Sequence, residues 1–260
     1  MNSINHVSSQ FPGFCGCSAC SATVTPGIPA PSGAGFSRRR FFGTGLAGAA
    51  GGLLAGVALD LALGRAARAA TSMTPGQALQ ELRAGNQRFV DQRLASFDQD
   101  FAILRQKTVD KQEPFAAVLA CADSRMPVEL IFDQSIGHIF VARVAGNVAT
   151  AEMIASLEYG VAVLGTKSIM VLGHRNCGAV KAAISAKEAP GQISALYSYI
   201  RPAVDQAGDN IDAVSRANAK IQAAILRESS PVLAEFIKKG SLEVVAGFYD
   251  LGSGRVEILN

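Results

Sequence analysis

Two short stretches hold the residues best equipped to do chemistry, Cys121-Ala-Asp-Ser-Arg125 and His174-Arg-Asn-Cys177. Together they offer two thiolates and an imidazole, a set that zinc favours, and three protein ligands leave a fourth tetrahedral position free, as in catalytic centres. Asp123 and Arg125 come with the first thiol and could meet in a bidentate ion pair. Other uses of the same groups stand beside the metal. Cys121 and Cys177 could form a mutual disulfide in an oxidising compartment. Cys177 with His174 could act as nucleophile and base without metal. A zinc closed by Asp123 as fourth ligand would be structural.

For residues so far apart in sequence to meet, the elements between them must end at one place. Phe115–Ala120 is a continuous apolar run that stops at Cys121, and 139–142 and 168–173 read the same way, as buried parallel strands. Helical patterns over 127–132 and 150–164 separate them. Strand, crossover and strand in this order predict a mostly parallel α/β sheet flanked by helices. Cys121 then falls just past the carboxyl end of one strand and His174 just past another, at the edge where ligands gather in such sheets. Cys177 opens a helix over 178–184, whose positive end favours a thiolate. Thr74-Pro75 starts an N-terminal helical arm, with a second helix over 97–109. Residues 190–230 look helical and show no ligand constellation. Two strands, 243–249 and 256–259, joined by Gly252-Ser-Gly254, form a C-terminal antiparallel hairpin.

With 260 residues, 49% of them hydrophobic, the chain can bury a substantial core. Its net charge of +3 is misleading, because residues 1–69 hold five arginines against one acid, leaving 19 basic and 20 acidic residues in the body. A near-neutral body without Trp or a basic cluster argues against nucleic acid as partner. Cys15, Cys17 and Cys20 lie in the leader, so the body holds only Cys121 and Cys177.

Residues 1–36 have the composition of a disordered segment. Ser37-Arg-Arg-Arg-Phe-Phe42, a Gly/Ala/Leu stretch and an A-x-A site ending at Ala69 resemble a twin-arginine export signal. The expected division is a leader over 1–69, cleaved near Ala69, and one domain over 70–260. The expected partner is the twin-arginine export machinery and the location periplasmic, with retention as an uncleaved anchor the alternative.

The body resembles the β-class carbonic anhydrases, whose signature pairs C-x-D-S-R with a later G-H-x-x-C-G. Here these read Cys121-Ala-Asp123-Ser124-Arg125 and Gly173-His174-Arg-Asn-Cys177-Gly178, and the likeness extends to 78–90, Arg143-Val-Ala-Gly-Asn147 and Ser156-Leu-Glu-Tyr159. The resemblance implies one Zn2+ per subunit on Cys121, His174 and Cys177, with Asp123 and Arg125 as the catalytic dyad. It implies reversible hydration of carbon dioxide to bicarbonate by zinc-bound hydroxide. Relatives sharing the motifs act on carbon disulfide or carbonyl sulfide, the alternative substrates. Gln112, Phe140 and Tyr159 match pocket positions of the plant-like branch, joined by Gly178 and by Ala145, where the family commonly has Val. Val118 stands where members with a bicarbonate-inhibited pocket have Trp, which favours an open site. The family assembles as dimers or higher multiples with the active site near the subunit boundary, so a homo-oligomer is expected.

Overall fold

A computed structural model of the chain describes residues 71–96 and 101–259. The leader, with Arg38–Arg40 and the cleavage site near Ala69, lies outside the described residues. Among the described residues no helix is long and apolar enough to cross a membrane.

The chain enters through α1 (Pro75–Val90). Thr74 accepts a hydrogen bond from the Gln77 N–H while Gln77 Oε1 accepts one from the Thr74 N–H, a reciprocal cap with Pro75 in the first turn. Its buried residues Ala78, Leu82, Gly85 and Asn86 recur at helical spacing on one face. That face lies on the sheet of its own chain, so α1 is part of the core. Gly85 passes so close to the Phe132 carbonyl that no Cβ fits there. Next comes α2 (Phe101–Thr108), within the expected second helix.

Five strands follow: β1 (Ala116–Ala120), β2 (Ile139–Arg143), β3 (Ser168–His174), β4 (Glu243–Tyr249) and β5 (Val256–Leu259). They lie in the order β2-β1-β3-β4-β5; the first four are parallel and β5 closes the antiparallel hairpin. The crossovers carry α3 (Val128–Ile131), α4 (Ala151–Ala162), α5 (Gly178–Ser185), α6 (Tyr197–Ala207), α7 (Ile211–Ser229) and α8 (Pro231–Lys238).

Alternate residues of each strand feed two separate cores, as the two-residue period of a strand requires. On one face Ala117, Leu119, Ile169 and Val171 meet Leu157 and Val161 of α4 and Ala219, Ala223 and Leu226 of α7. On the other, Ala116, Val118, Met170 and Leu172 meet Ala78 and Leu82 of α1 and Ile131 and Phe132. Each fully buried Leu or Phe contributes about 1.5–3 kcal/mol. Coverage on both faces explains why β1 and β3 read as unbroken apolar runs, every residue of both being buried.

One boundary differs from the sequence expectation in a useful way. His174 is the last residue of β3 and does not lie beyond it, because β4 continues the ladder to the pair His174 and Tyr249. The ligand-bearing backbone is thereby hydrogen-bonded into the sheet. Gly173, just before it, lets α7 cross in contact: a Cβ there would sit 2.9 Å from the Ser215 carbonyl oxygen.

Candidate metal centre

At the carboxyl edge of the sheet, Cys121 follows β1, His174 ends β3 and Cys177 caps α5. One potential ligand atom from each lies within 4.8 Å of the others, and all three residues are buried. The two sulfurs are 4.0 Å apart. His174 Nδ1 lies 2.9 Å from the Arg175 carbonyl oxygen, an acceptor, so this nitrogen carries the proton and Nε2 keeps its lone pair. Nε2 is buried without a hydrogen-bond partner. A buried acceptor costs free energy unless something meets it. An aprotic imidazole nitrogen converging with two thiols is the donor set of a zinc site, and the residues fit that ion.

Of the two sulfurs, Cys121 is primed to ionise and Cys177 keeps the proton between them. The Cys121 thiol is pulled down to about 4, first by the hydrogen bond from Cys177 and then by the Gly146 N–H, against the opposing cost of burial. Cys177 is raised, because the Cys121 thiolate holds its proton and burial adds to the effect, although the Val180 and Ala179 N–H groups at the start of α5 work the other way. A divalent cation held by both sulfurs would take the place of that shared proton, which would leave to solvent.

Asp123 stands beside this cluster and is held by Arg125. Its Oδ1 accepts from the Arg125 N–H and Nε, each at 2.9 Å, and its Oδ2 accepts from Arg125 Nη2 at 2.7 Å. That ion pair keeps the Asp123 carboxyl well below the usual carboxylate range. Oδ2 lies 3.9 Å from His174 Nε2, so the carboxylate faces the ligand atoms from outside their first contact distance. Arg143 braces the same loop, donating from Nε to the Cys121 carbonyl at 2.9 Å and from Nη2 to the Asp123 carbonyl at 2.5 Å.

Residues 116–256 match the carbonic anhydrase family. The chain belongs to that family. Carbonic anhydrase 2 of Mycobacterium tuberculosis is 37% identical over 195 residues, covering 70% of this chain and 91% of the relative. The carbonic anhydrase of Mycolicibacterium smegmatis is 35% identical over 192 residues, covering 71% and 93%. Among solved structures, the tetrameric β-carbonic anhydrases of Sordaria macrospora superpose with a TM-score of 0.57 at 26% identity, over 62% of this chain and 87% of that one. The Coccomyxa β-carbonic anhydrase, in complex with acetazolamide, gives 0.56 at 28% identity, over 67% and 82%. This carbonic anhydrase is therefore an enzyme of the β class.

The candidate pocket residues divide into two groups. Ala145, in the short 3-10 turn Ala145–Asn147, and Gly178, at the start of α5, flank the ligands. Gln112, Phe140 and Tyr159 do not reach them. Phe140 pairs with Ala117, four residues upstream of Cys121, or roughly 13 Å along the strand. Tyr159 contacts Phe140 with ring centroids 6.4 Å apart and lines, with Gln112, Val109 and Leu164, an open cleft of about 530 Å³.

Three residues near the carbonic anhydrase centre carry no ligand signal in the sequence. Gly146 donates its N–H to Cys121 Sγ at 3.3 Å. Asn218 and Gln222, both fully buried on α7, lie behind it. Their signal was available as two amides one turn apart on a helix face otherwise made of Val, Ser, Ala and Leu.

Proposed function

We propose that this carbonic anhydrase hydrates carbon dioxide reversibly to bicarbonate and a proton, with one zinc per subunit held by Cys121, His174 and Cys177. The observation that carries the reading is the Asp123 carboxylate, locked onto Arg125 and facing the unpartnered His174 Nε2 across 3.9 Å. Zinc, when bound, supplies a Lewis acid that brings the ionisation of water to about neutral pH.

The chain's own residues do the rest. Ionised Asp123 is only an acceptor, so a water or hydroxide in front of the ligands gives its hydrogen to Oδ2 and turns a lone pair away from the carboxylate. Arg125 engages both carboxylate oxygens, which keeps Asp123 from swinging onto the metal and closing the site. Ala145 offers a small apolar wall beside this position, suited to a linear, uncharged substrate.

Stopped-flow hydration from acid to alkaline pH, with metal analysis of the same sample, tests this. A protein loaded with zinc that hydrates no carbon dioxide at any pH overturns it, and hydrogen sulfide release from carbon disulfide would point to the alternative substrates. The relatives described above are named carbonic anhydrases and lend that alternative no support.

We further propose that Gln112, Phe140 and Tyr159 serve the site of a neighbouring copy, as in the plant-like branch. Their separation from Cys121 within one chain supports this, as do the half-exposed Tyr159 ring and the exposed Val109 beside it. The Sordaria relatives are tetrameric. A homo-oligomer by light scattering is expected. Mixing inactive Cys121→Ser subunits with Tyr159→Ala subunits should restore activity if the site is shared.

The leader is proposed to direct folded, zinc-loaded protein through the twin-arginine machinery to the periplasm. Loading in a reducing compartment protects Cys121 and Cys177 from pairing with each other. Replacing the arginines at 38–40 with Lys should leave the enzyme inside the cell; continued export of zinc-loaded enzyme would overturn this.

A further inference from the structure

We propose that the buried amides of Asn218 and Gln222 are positioning groups for the Cys121 ligand, acting through the Gly146 N–H. The proposal rests on the reading of the centre as a zinc site.

The chain of contacts is continuous. Gln222 Oε1 accepts from the Ala149 N–H at 2.8 Å, and Gln222 Nε2 donates to the Tyr199 carbonyl at 3.0 Å and to Asn218 Oδ1 at 3.1 Å. Asn218 Nδ2 then donates to the Gly146 carbonyl at 2.8 Å, and the Gly146 N–H points at Cys121 Sγ. The polarity of the whole series has one solution. A backbone N–H can only donate, so Ala149 forces Oε1 to its side and Nε2 to the other. Asn218 must in turn present Oδ1 to Gln222 and Nδ2 to Gly146.

The turn so gripped does not hold its shape on propensity alone. Gly146 has φ 77° and Asn147 φ 46°, two left-handed residues in succession. A Cβ on Gly146 would lie 2.8 Å from the movable end of Ile200, and the positive φ strains any side chain there whatever the space. Left-handed backbone persists where the surroundings over-determine it. Asn218 fixes the Gly146 carbonyl, Gln222 fixes Ala149, and the Asn147 N–H closes onto the Val144 carbonyl at 2.9 Å. With φ set and the carbonyl anchored, the N–H direction towards sulfur follows. An N–H hydrogen bond withdraws charge from the thiolate and orients its lone pairs, the way an outer partner tunes a metal ligand.

Two measurements test this, neither of which reads activity. In isotopically labelled wild-type protein loaded with a spin-half cadmium isotope, the Gly146 amide proton should show scalar coupling to the metal through Cys121 sulfur. In Asn218→Leu, zinc affinity by chelator competition should fall about 10- to 100-fold, with a shifted sulfur-to-metal absorption band in the cobalt-substituted protein. Leu226→Ala, about 12 Å further along α7, serves as a control for general destabilisation and should leave that band in place. No coupling in metal-loaded wild type, or an unshifted band and unchanged affinity in Asn218→Leu, overturns the proposal. Wild-type protein that takes up neither zinc nor cadmium overturns the metal reading, and this proposal with it.

Discussion

Asp123 and Arg125 are joined by a two-pronged ion pair, 2.9 Å from Nε to Oδ1 and 2.7 Å from Nη2 to Oδ2, while Asp123 Oδ2 sits 3.9 Å from His174 Nε2. The carboxylate is thus poised between its guanidinium and the ligands. Asp123→Ala should keep its metal and lose hydration by about 100-fold or more, the scale of a positioned proton acceptor. Arg125→Lys retains the charge but not the fork, and loss of the two-pronged charge-assisted contact predicts a drop of about ten-fold or more. X-ray absorption should then reveal an added oxygen ligand as Asp123 is released. Unchanged turnover in Asp123→Ala removes that residue from the mechanism.

Metal removal should be visible in the thiols. With zinc bound, Cys121 and Cys177 should resist alkylation; a chelator should expose both and lower the melting temperature, and added zinc should reverse each change. Cys121→Ser and His174→Ala should purify with little zinc. Equal alkylation with and without metal would instead favour the nucleophile reading of Cys177.

The parallel sheet was legible because β1 and β3 are buried on both faces and read as unbroken apolar runs ending at Cys121 and His174. Convergence of the ligands followed from the rule that sites gather at the carboxyl ends of such strands. The same rule could not place Gln112, Phe140 and Tyr159 relative to that edge, since their position depends on the pairing of Ala117 with Phe140. Nor could it find the grip of Asn218 on Gly146, 72 residues apart in the chain. An amide on a helix face carries no record of the carbonyl it will meet. The export signal lies outside the described residues and rests on its sequence pattern.

Asp133 offers a pH test remote from the metal. Its side chain is fully buried and receives the Ala95 and Ser96 N–H groups, the Ser96 hydroxyl and Arg88 Nε. Burial opposes ionisation, but the hydrogen bonds from Ser96 and Arg88 prevail and bring the carboxyl down to about 2. A folded pKa below the unfolded value of about 3.9 contributes about 2 kcal/mol above pH 4, lost as pH falls through 2. Asp133→Asn keeps the shape and tolerates the left-handed φ of 46° at this position. It should be less stable than wild type by about that amount at pH 7, with the gap closing under acid. Urea unfolding of both proteins from pH 7 to pH 3 measures the gap, and a constant difference would refute the assignment.

Gly173 links the packing of α7 to the ligand that follows it. A methyl group at this position would be 2.9 Å from the Ser215 carbonyl oxygen and 3.3 Å from Ala219 Cβ. The first neighbour is helix backbone and cannot rotate aside, so Gly173→Ala must push α7 off β3 or bend β3 at its last residue. Overpacking of this kind costs about 1–3 kcal/mol. Because His174 is the next residue and Asn218 lies on the displaced helix, zinc should be released faster to a chelator than the stability loss alone predicts. Ala219→Gly in the same chain relieves only the second contact and should rescue little. Full rescue by Ala219→Gly would place the conflict at the side chain, and leave the carbonyl of Ser215 free to move.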